Sequence, residues 1–272
     1  MGYRRRAKAT YRIYQVERAL DLLEAIGCYP GELGVTEVCG KLGFSKEQVV
    51  KLLSSLERRG YLHRDETDRY CLGLKAFETG MSFLHQRRLW KEAEPILEEL
   101  RDRSGETTYL AVLDGNQVTA LLVQESLQSV RVKVKLGQSL PAHANAAGKA
   151  LLAFLSNEEL ERTFGEQALK PLTEKTLFRL DLLKAHLQEV IRSGYAVEDE
   201  EVKEGLKGVA APVRDATGRV VAAVGLLGPS SRLPDERIEG ELKLLITEAA
   251  LTISQRLGYL ETLAVHEEME NL

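Results

Sequence analysis

Residues 44–73 read FSKEQVVKLLSSLERRGYLHRDETDRYCLG, and this stretch decides the fold of the front of the chain. Val49, Leu52, Leu53 and Leu56 fall at i, i+3, i+4 and i+7, the spacing of one helical face. Ser45 stands where an N-cap belongs, and Gly60 where the helix must stop. Beyond Gly60, apolar and polar residues alternate on both sides of the polar turn Asp65–Asp68, which predicts a hairpin. Upstream, VERALDLLEAI puts Val16, Ala19, Leu20, Leu23 and Ile26 on one face of a first helix, ended by a turn with Pro30 and Gly31. Thr36 can N-cap a short second helix through Leu42, with Gly43 at its C-terminal end. Three short helices and a hairpin in about sixty residues make a winged helix-turn-helix.

That architecture gives the polar face of the third helix a purpose. Its third helix lies in a DNA major groove, where side chains near the helix N-terminus reach base edges. Gln pairs with adenine, Lys with guanine, and Glu accepts from cytosine. The expected DNA-binding residues are therefore Ser45, Lys46, Glu47, Gln48, Lys51, Ser55 and Arg58 on the helix, with Arg64 and Arg69 on the hairpin for phosphates. A polar helix face is also what a solvated or protein-binding surface looks like. Charge distribution favours DNA: residues 1–75 hold 14 Lys+Arg and 10 Asp+Glu, or +4, while the rest of the chain carries −8. Arg4, Arg5, Arg6 and Lys8 suit a basic arm that adds salt-dependent affinity.

The 272 residues suffice for two ordinary domains, and 44% apolar with 29% charged residues is a globular composition. No apolar run has the length of a membrane span, and no apolar segment follows the basic start, so the expected location is the cytoplasm. Cys28, Cys39 and Cys71 form no C-x-x-C pair and read as small apolar fillers. A helix from about Leu74 to Leu89 carries Phe77, Met81 and Leu84 on one side, a connector whose stripe can double as a dimer seam. From residue 91 a helix leads into strands TYLAVLD and QVTALLVQE, then VRVKVKLG, which alternates strictly with Arg131, Lys133 and Lys135 outward. PAHANAAGKALLAFL reads as a helix, SNEEL opens another with a capping box, and LDLLKAHLQEVIRSG ends a third at Gly194. Two more strands join at Asp215–Gly218 before a closing amphipathic helix through Leu242, Leu245, Ile246, Ala249, Ile253 and Leu257. The fold class is α+β with a mainly antiparallel sheet.

VERALDLLEAI, LLSSLERRGYLHRD, LPAHANAAGKALLAFL and GYAVEDEE with GLKGVAAPVRDATGRVVAAVGLLGP together resemble the IclR family of bacterial transcriptional regulators over nearly the whole chain. The resemblance implies a basic arm (1–11), a winged helix-turn-helix DNA-binding domain (12–74), a linker helix (75–90) and an effector-binding domain of GAF-like fold (91–272). It implies a homodimer or homotetramer on a double-stranded operator, regulating a metabolic or catabolic operon, with repression the expected sign. By matching motifs, the effector pocket would be lined by Ala146, Ala147, Glu198, Gly208, Gly225 and Leu227, with open helix amides for a carboxylate. Members that bind small keto acids tend to show Ser-x-Ser where this chain has Gly225-Leu226-Leu227. A roomier, more apolar pocket for an organic or aromatic acid is the expectation.

No catalytic residue, metal site or cofactor is expected. His143 and the acidic run Glu198–Glu201 lack ligand or nucleophile spacing, so they read as a structural hydrogen-bonder and a solvated turn. Lys149 and His186 read as helix surface, Lys149 with a possible inter-subunit partner. Arg131, Lys133 and Lys135 read as a solvated strand face. Two other classes stay open at this point: an enzyme with a helix-turn-helix docking head, and a protein-interaction adaptor.

Overall fold

Leu22 and Ile26 fix the first helix, α1 (Tyr14–Gly27), into a small core with Leu33, Val38, Val49, Leu53, Leu62 and Tyr70. Residues 13–86, 89–165 and 169–260 are described by the computed structural model, with backbone alone over 81–86. The basic arm and the Met81 and Leu84 side chains expected on the linker helix lie outside the described residues. Val16 and Leu20, expected in the core, are instead 53% and 52% exposed, because α1 turns the Leu22–Ile26 row inward. A two-residue strand, β1 (Leu33–Gly34), precedes α2 (Val35–Leu42). Gly34, not Thr36, is the N-cap: the Glu37 carboxylate accepts its N–H at 2.7 Å. Gly43 ends α2 at φ +67°, a conformation that costs glycine little.

The helix α3 (Lys46–Arg58) starts on Ser45, whose hydroxyl accepts the Gln48 N–H at 3.4 Å, and buries Val49 and Leu53. Its neighbours β2 (Leu62–Arg64) and β3 (Arg69–Leu72) pair antiparallel, and β1 adds to β3, giving the order β1-β3-β2. Gly73 lets the chain pass from this wing into α4 (Leu74–Gln86): a Cβ there would lie 2.3 Å from the Gly60 carbonyl oxygen.

A second compact unit begins at residue 88. It opens with α5 (Leu89–Ser104), β4 (Thr107–Asp114) and β5 (Gln117–Gln124). β6 (Ser139–Pro141), α6 (Ala146–Leu152), α7 (Asn157–Phe164) and α8 (Leu180–Ser193) follow. β7 (Ala196–Asp199), β8 (Leu206–Arg214) and β9 (Val220–Pro229) complete a six-stranded antiparallel sheet of order β6-β5-β4-β9-β8-β7. A short turn of helix, α9 (Asp235–Arg237), runs through a π-helical turn into α10 (Lys243–Arg256).

Both faces of this sheet are covered. Leu110, Val224 and Leu226 face α5 and α10, while Tyr109, Ala223 and Leu227 face α6 and α8. The period-two alternation of each strand thus distributes apolar side chains between two cores. Two expectations need correction. VRVKVKLG alternates in burial but finds no ladder partner, so residues 131–135 form an extended loop beside the sheet. PAHANAAGKALLAFL does not begin as an α-helix: residues Ala142–Ala144 form a 3-10 turn, and α6 starts at Ala146.

Candidate functional site

In the first unit α3 presents one polar face to solvent. Lys46, Glu47, Gln48, Lys51, Ser55 and Arg58 are all exposed there. Glu47 and Lys51, one turn apart, form an ion pair at 2.6 Å that holds Glu47 below the usual carboxylate range through the Lys51 hydrogen bond. Ser55 Oγ donates to the Lys51 carbonyl, and Ser45 Oγ is committed to the helix cap. On the wing, Arg64 pairs with Asp68 at 2.5 Å. Arg69, expected to meet phosphate, is engaged within the fold. It is half-buried and donates to the Glu32 carbonyl at 2.6 Å and the Glu37 carboxylate at 3.0 Å, tying β3 to α2. The wing tip is acidic, with Asp65 held at about 2 by the Arg69 N–H and the Thr67 hydroxyl.

In the second unit, α6 carries a buried polar cluster. Lys149 is fully buried and pairs with Glu201, correcting the surface reading of both. Glu198 is also fully buried, so the acidic run is no solvated turn. Asn145 organises this cluster. Its Oδ1 accepts from Ala147 N at 2.9 Å, Gly148 N at 3.3 Å and the Tyr109 hydroxyl at 3.4 Å, while Nδ2 donates to Glu198 Oε2 at 3.4 Å. Glu198 Oε1 makes no hydrogen bond of normal geometry. Burial pushes the Glu198 carboxyl up to about 8, against the pull of Lys149 and of the Ala146 and Val202 amides. His143 is buried, with Nε2 on the Lys170 carbonyl at 3.1 Å. His186, half-buried with an unpartnered Nε2, is brought down to about 4 by burial and Lys149.

The structure brings the six expected pocket residues together, but packs most of them shut. Ala146, Ala147, Glu198, Gly208 and Gly225 are buried, and the helix amides expected to be open are capped by Asn145. A Cβ on Gly225 would lie 2.4 Å from the Tyr109 ring, so that ring fills the space the missing hydroxyls were expected to leave. Open space lies beside this cluster. A cleft of about 540 Å³ runs between the 131–140 segment and the 202–206 turn, with Leu227 in its wall. A separate cavity of about 30 Å³ shares Val134, Gln138, Leu140 and Leu227 with it, and is also lined by Tyr109 and Asn145. Sequence reasoning missed Tyr109, Asn145, Lys149 and Glu201. A helix with no polar face, yet containing one lysine, was the available signal that a buried partner must exist. Among the described residues no cluster of His, Cys, Asp and Glu could hold a metal ion, and no helix is long and apolar enough to cross a membrane.

Residues 15–66 match the IclR helix-turn-helix domain, and residues 81–255 match the family described as bacterial transcriptional regulator IclR C-terminal. The chain is 32% identical over 255 residues to the transcriptional repressor IclR of Escherichia coli strain K12, covering 93% of each. The crystal structure of the Thermotoga maritima IclR superposes with a TM-score of 0.73 at 32% identity, over 90% of this chain and 98% of that one. An IclR homolog from Microbacterium hydrocarbonoxydans, complexed with 4-hydroxybenzoate, superposes with a TM-score of 0.78 over 89% and 98% of the two chains; at 23% identity this is a likeness of fold.

Proposed function

The chain belongs to the IclR family of DNA-binding transcriptional regulators, which are not enzymes, and from that premise we propose that it is a cytoplasmic repressor of a metabolic operon, released or retained by a small organic acid. The exposed polar face of α3, projecting from a helix whose other face is locked in the core, is the observation that carries the DNA-binding assignment. In this reading Lys46, Gln48 and Lys51 meet base edges, Arg58 and Arg64 meet phosphates, and Arg69 holds the wing. Pairing with Lys51 orients Glu47 as a candidate acceptor for cytosine N4. The cleft beside Leu227 is the effector site, of a size typical for small ligands. Exposed Val16 and Leu20 on α1, with Leu74 and Phe77 on α4, are the surface through which a second copy joins to match two half-sites.

Fluorescence anisotropy with DNA from upstream of the neighbouring operon tests the first part. Gln48→Ala with Lys51→Ala is expected to lower specific affinity about a hundredfold, since each base contact is worth about 1–3 kcal/mol, with an unchanged unfolding transition. Undiminished operator affinity in that variant would remove α3 from the interface.

A further inference from the structure

Glu47 is the residue of α3 that a DNA-binding face tolerates least. Its side chain is 78% exposed in the first turn of the helix, on the side opposite the buried Val49 and Leu53. Lys51 donates to its Oε1 at 2.6 Å. That hydrogen bond and the lysine's charge hold the carboxyl below the ordinary glutamate range, so at neutral pH Glu47 accepts hydrogen bonds and donates none. A pair this exposed adds little to the stability of the helix. Beside a phosphate backbone the carboxylate is repelled unless a base edge offers it an N–H. In the major groove cytosine N4 and adenine N6 are the groups that do so.

The pairing with Lys51 decides between them. A lysine ammonium has three N–H donors; one is spent on Glu47 and the others are free, while Glu47 keeps Oε2. In a G·C pair cytosine N4 lies one Watson–Crick hydrogen bond, about 2.9 Å, from guanine O6, and guanine N7 stands beside O6. The Lys51 Nζ to Glu47 Oε1 separation, 2.6 Å, is close to that length. Laid along this edge, Glu47 accepts from N4 while Lys51 donates to O6 and N7, and every group meets its complement. Over an A·T pair a carboxylate on adenine N6 stands between two acceptors, N7 and O4, of which Lys51 reaches only one.

Resting on the reading of α3 as the DNA-binding helix, we propose that Glu47 and Lys51 act as one reader of a single G·C pair in each half-site, with cytosine under Glu47 and guanine under Lys51. Over any other pair Glu47 turns its charge toward acceptors and phosphates, so the same residue holds down non-specific affinity.

Selection of sites by the full chain from a random DNA pool, followed by fluorescence anisotropy on the selected site, tests this. The parent is expected to require one G·C pair per half-site, and Glu47→Gln to exchange it for A·T, because glutamine pairs with adenine N6 and N7. Methylation of that cytosine at N4 takes away the groove-facing N–H. It should weaken the parent about tenfold or more and leave Glu47→Ala unaffected. A 7-deazaguanine opposite should weaken the parent and spare Lys51→Ala. Glu47→Ala should also bind random-sequence DNA more tightly than the parent, with an unchanged unfolding transition. If no cytosine of the selected site separates the parent from Glu47→Ala, or Glu47→Gln selects the parent's site, Glu47 reads no base and the proposal falls. In that event a selected site altered by Gln48→Ala keeps α3 in the interface. A site that no substitution on α3 alters removes the helix itself, and the proposal with it.

Discussion

Lys149 shows what a single residue can carry in this fold. An ammonium with no exposed surface must keep a charged partner, because the cost of leaving it unpaired exceeds what packing returns. Lys149→Met leaves Glu201 buried without its cation, and is expected to cost about 3–5 kcal/mol in urea unfolding. Lys149→Met with Glu201→Leu should recover most of that loss; a single variant within about 1 kcal/mol of the parent would show that the pair contributes nothing. Glu198 makes a separate prediction through pH. An ordinary glutamate ionises near 4.5, and Glu198 in the fold at about 8, pushed up by burial. Between those values the unfolded chain has lost a proton that the folded chain keeps. The stability gained by burying the neutral acid is therefore complete below pH 4.5 and lost as pH rises toward 8. The groups facing Glu198 are Tyr109 on β4, Lys149 in α6, Asn145 at its N-cap, and Glu201 in its own loop. Glu198→Gln removes the titration, so its Tm should gain on the parent by at least about 3 °C between pH 4.5 and pH 8. A difference that stays flat across that window would mean the carboxyl ionises normally.

Elements were legible where local chemistry and packing agree. Ser45 and Gly60 bound α3 because a cap and a stop act within one turn, and the Ser156–Glu159 capping box opens α7 for the same reason. The extended loop of residues 131–135 was not legible, because Val132 and Val134 pack against the second core with the same alternation a strand would show. Only the absence of a ladder partner, which lies outside any local window, distinguishes the two. Nor was the packing of α6 legible: small residues announce a close approach without saying what approaches. At Gly225 the answer is the Tyr109 ring, whose Cζ would lie 2.4 Å from an added Cβ. Gly225→Ala is expected to destabilise by about 1–3 kcal/mol, the cost of overpacking. Tyr109→Leu in the same chain should relieve part of it, a coupling that distinguishes steric conflict from backbone strain. Equal and additive losses in thermal unfolding would rule the ring contact out. The candidate site was half-legible in the same way: its six residues do converge, but the side chains that decide its polarity are Tyr109, in an ordinary strand, and Asn145, inside LPAHANAAGKALLAFL but with nothing in the sequence to say what its side chain meets.

At the scale of the whole molecule, the proposed effector cleft belongs to one unit and the proposed DNA-binding face to the other. The last element of the first unit, α4, carries Gly80 in its interior, where an added Cβ would meet nothing. If the effector acts on DNA binding through α4 as a rigid helix, melting it at that point must uncouple the two without abolishing either. Gly80→Pro supplies the break, since proline inside a helix removes a hydrogen bond at about 3 kcal/mol or more. In the parent chain, the factor by which effector changes operator affinity must equal the factor by which operator changes effector affinity, because both measure one coupling free energy. The expectation for Gly80→Pro is that effector still binds in calorimetry and operator in anisotropy, while both factors fall toward one together. A pair of factors that stays at the parent value would show that coupling runs through the subunit interface or direct contact between units, with α4 a passive tether. Two factors that disagree with each other in the parent chain would mean that more than one effector site is filling, since a single two-site linkage cannot be asymmetric.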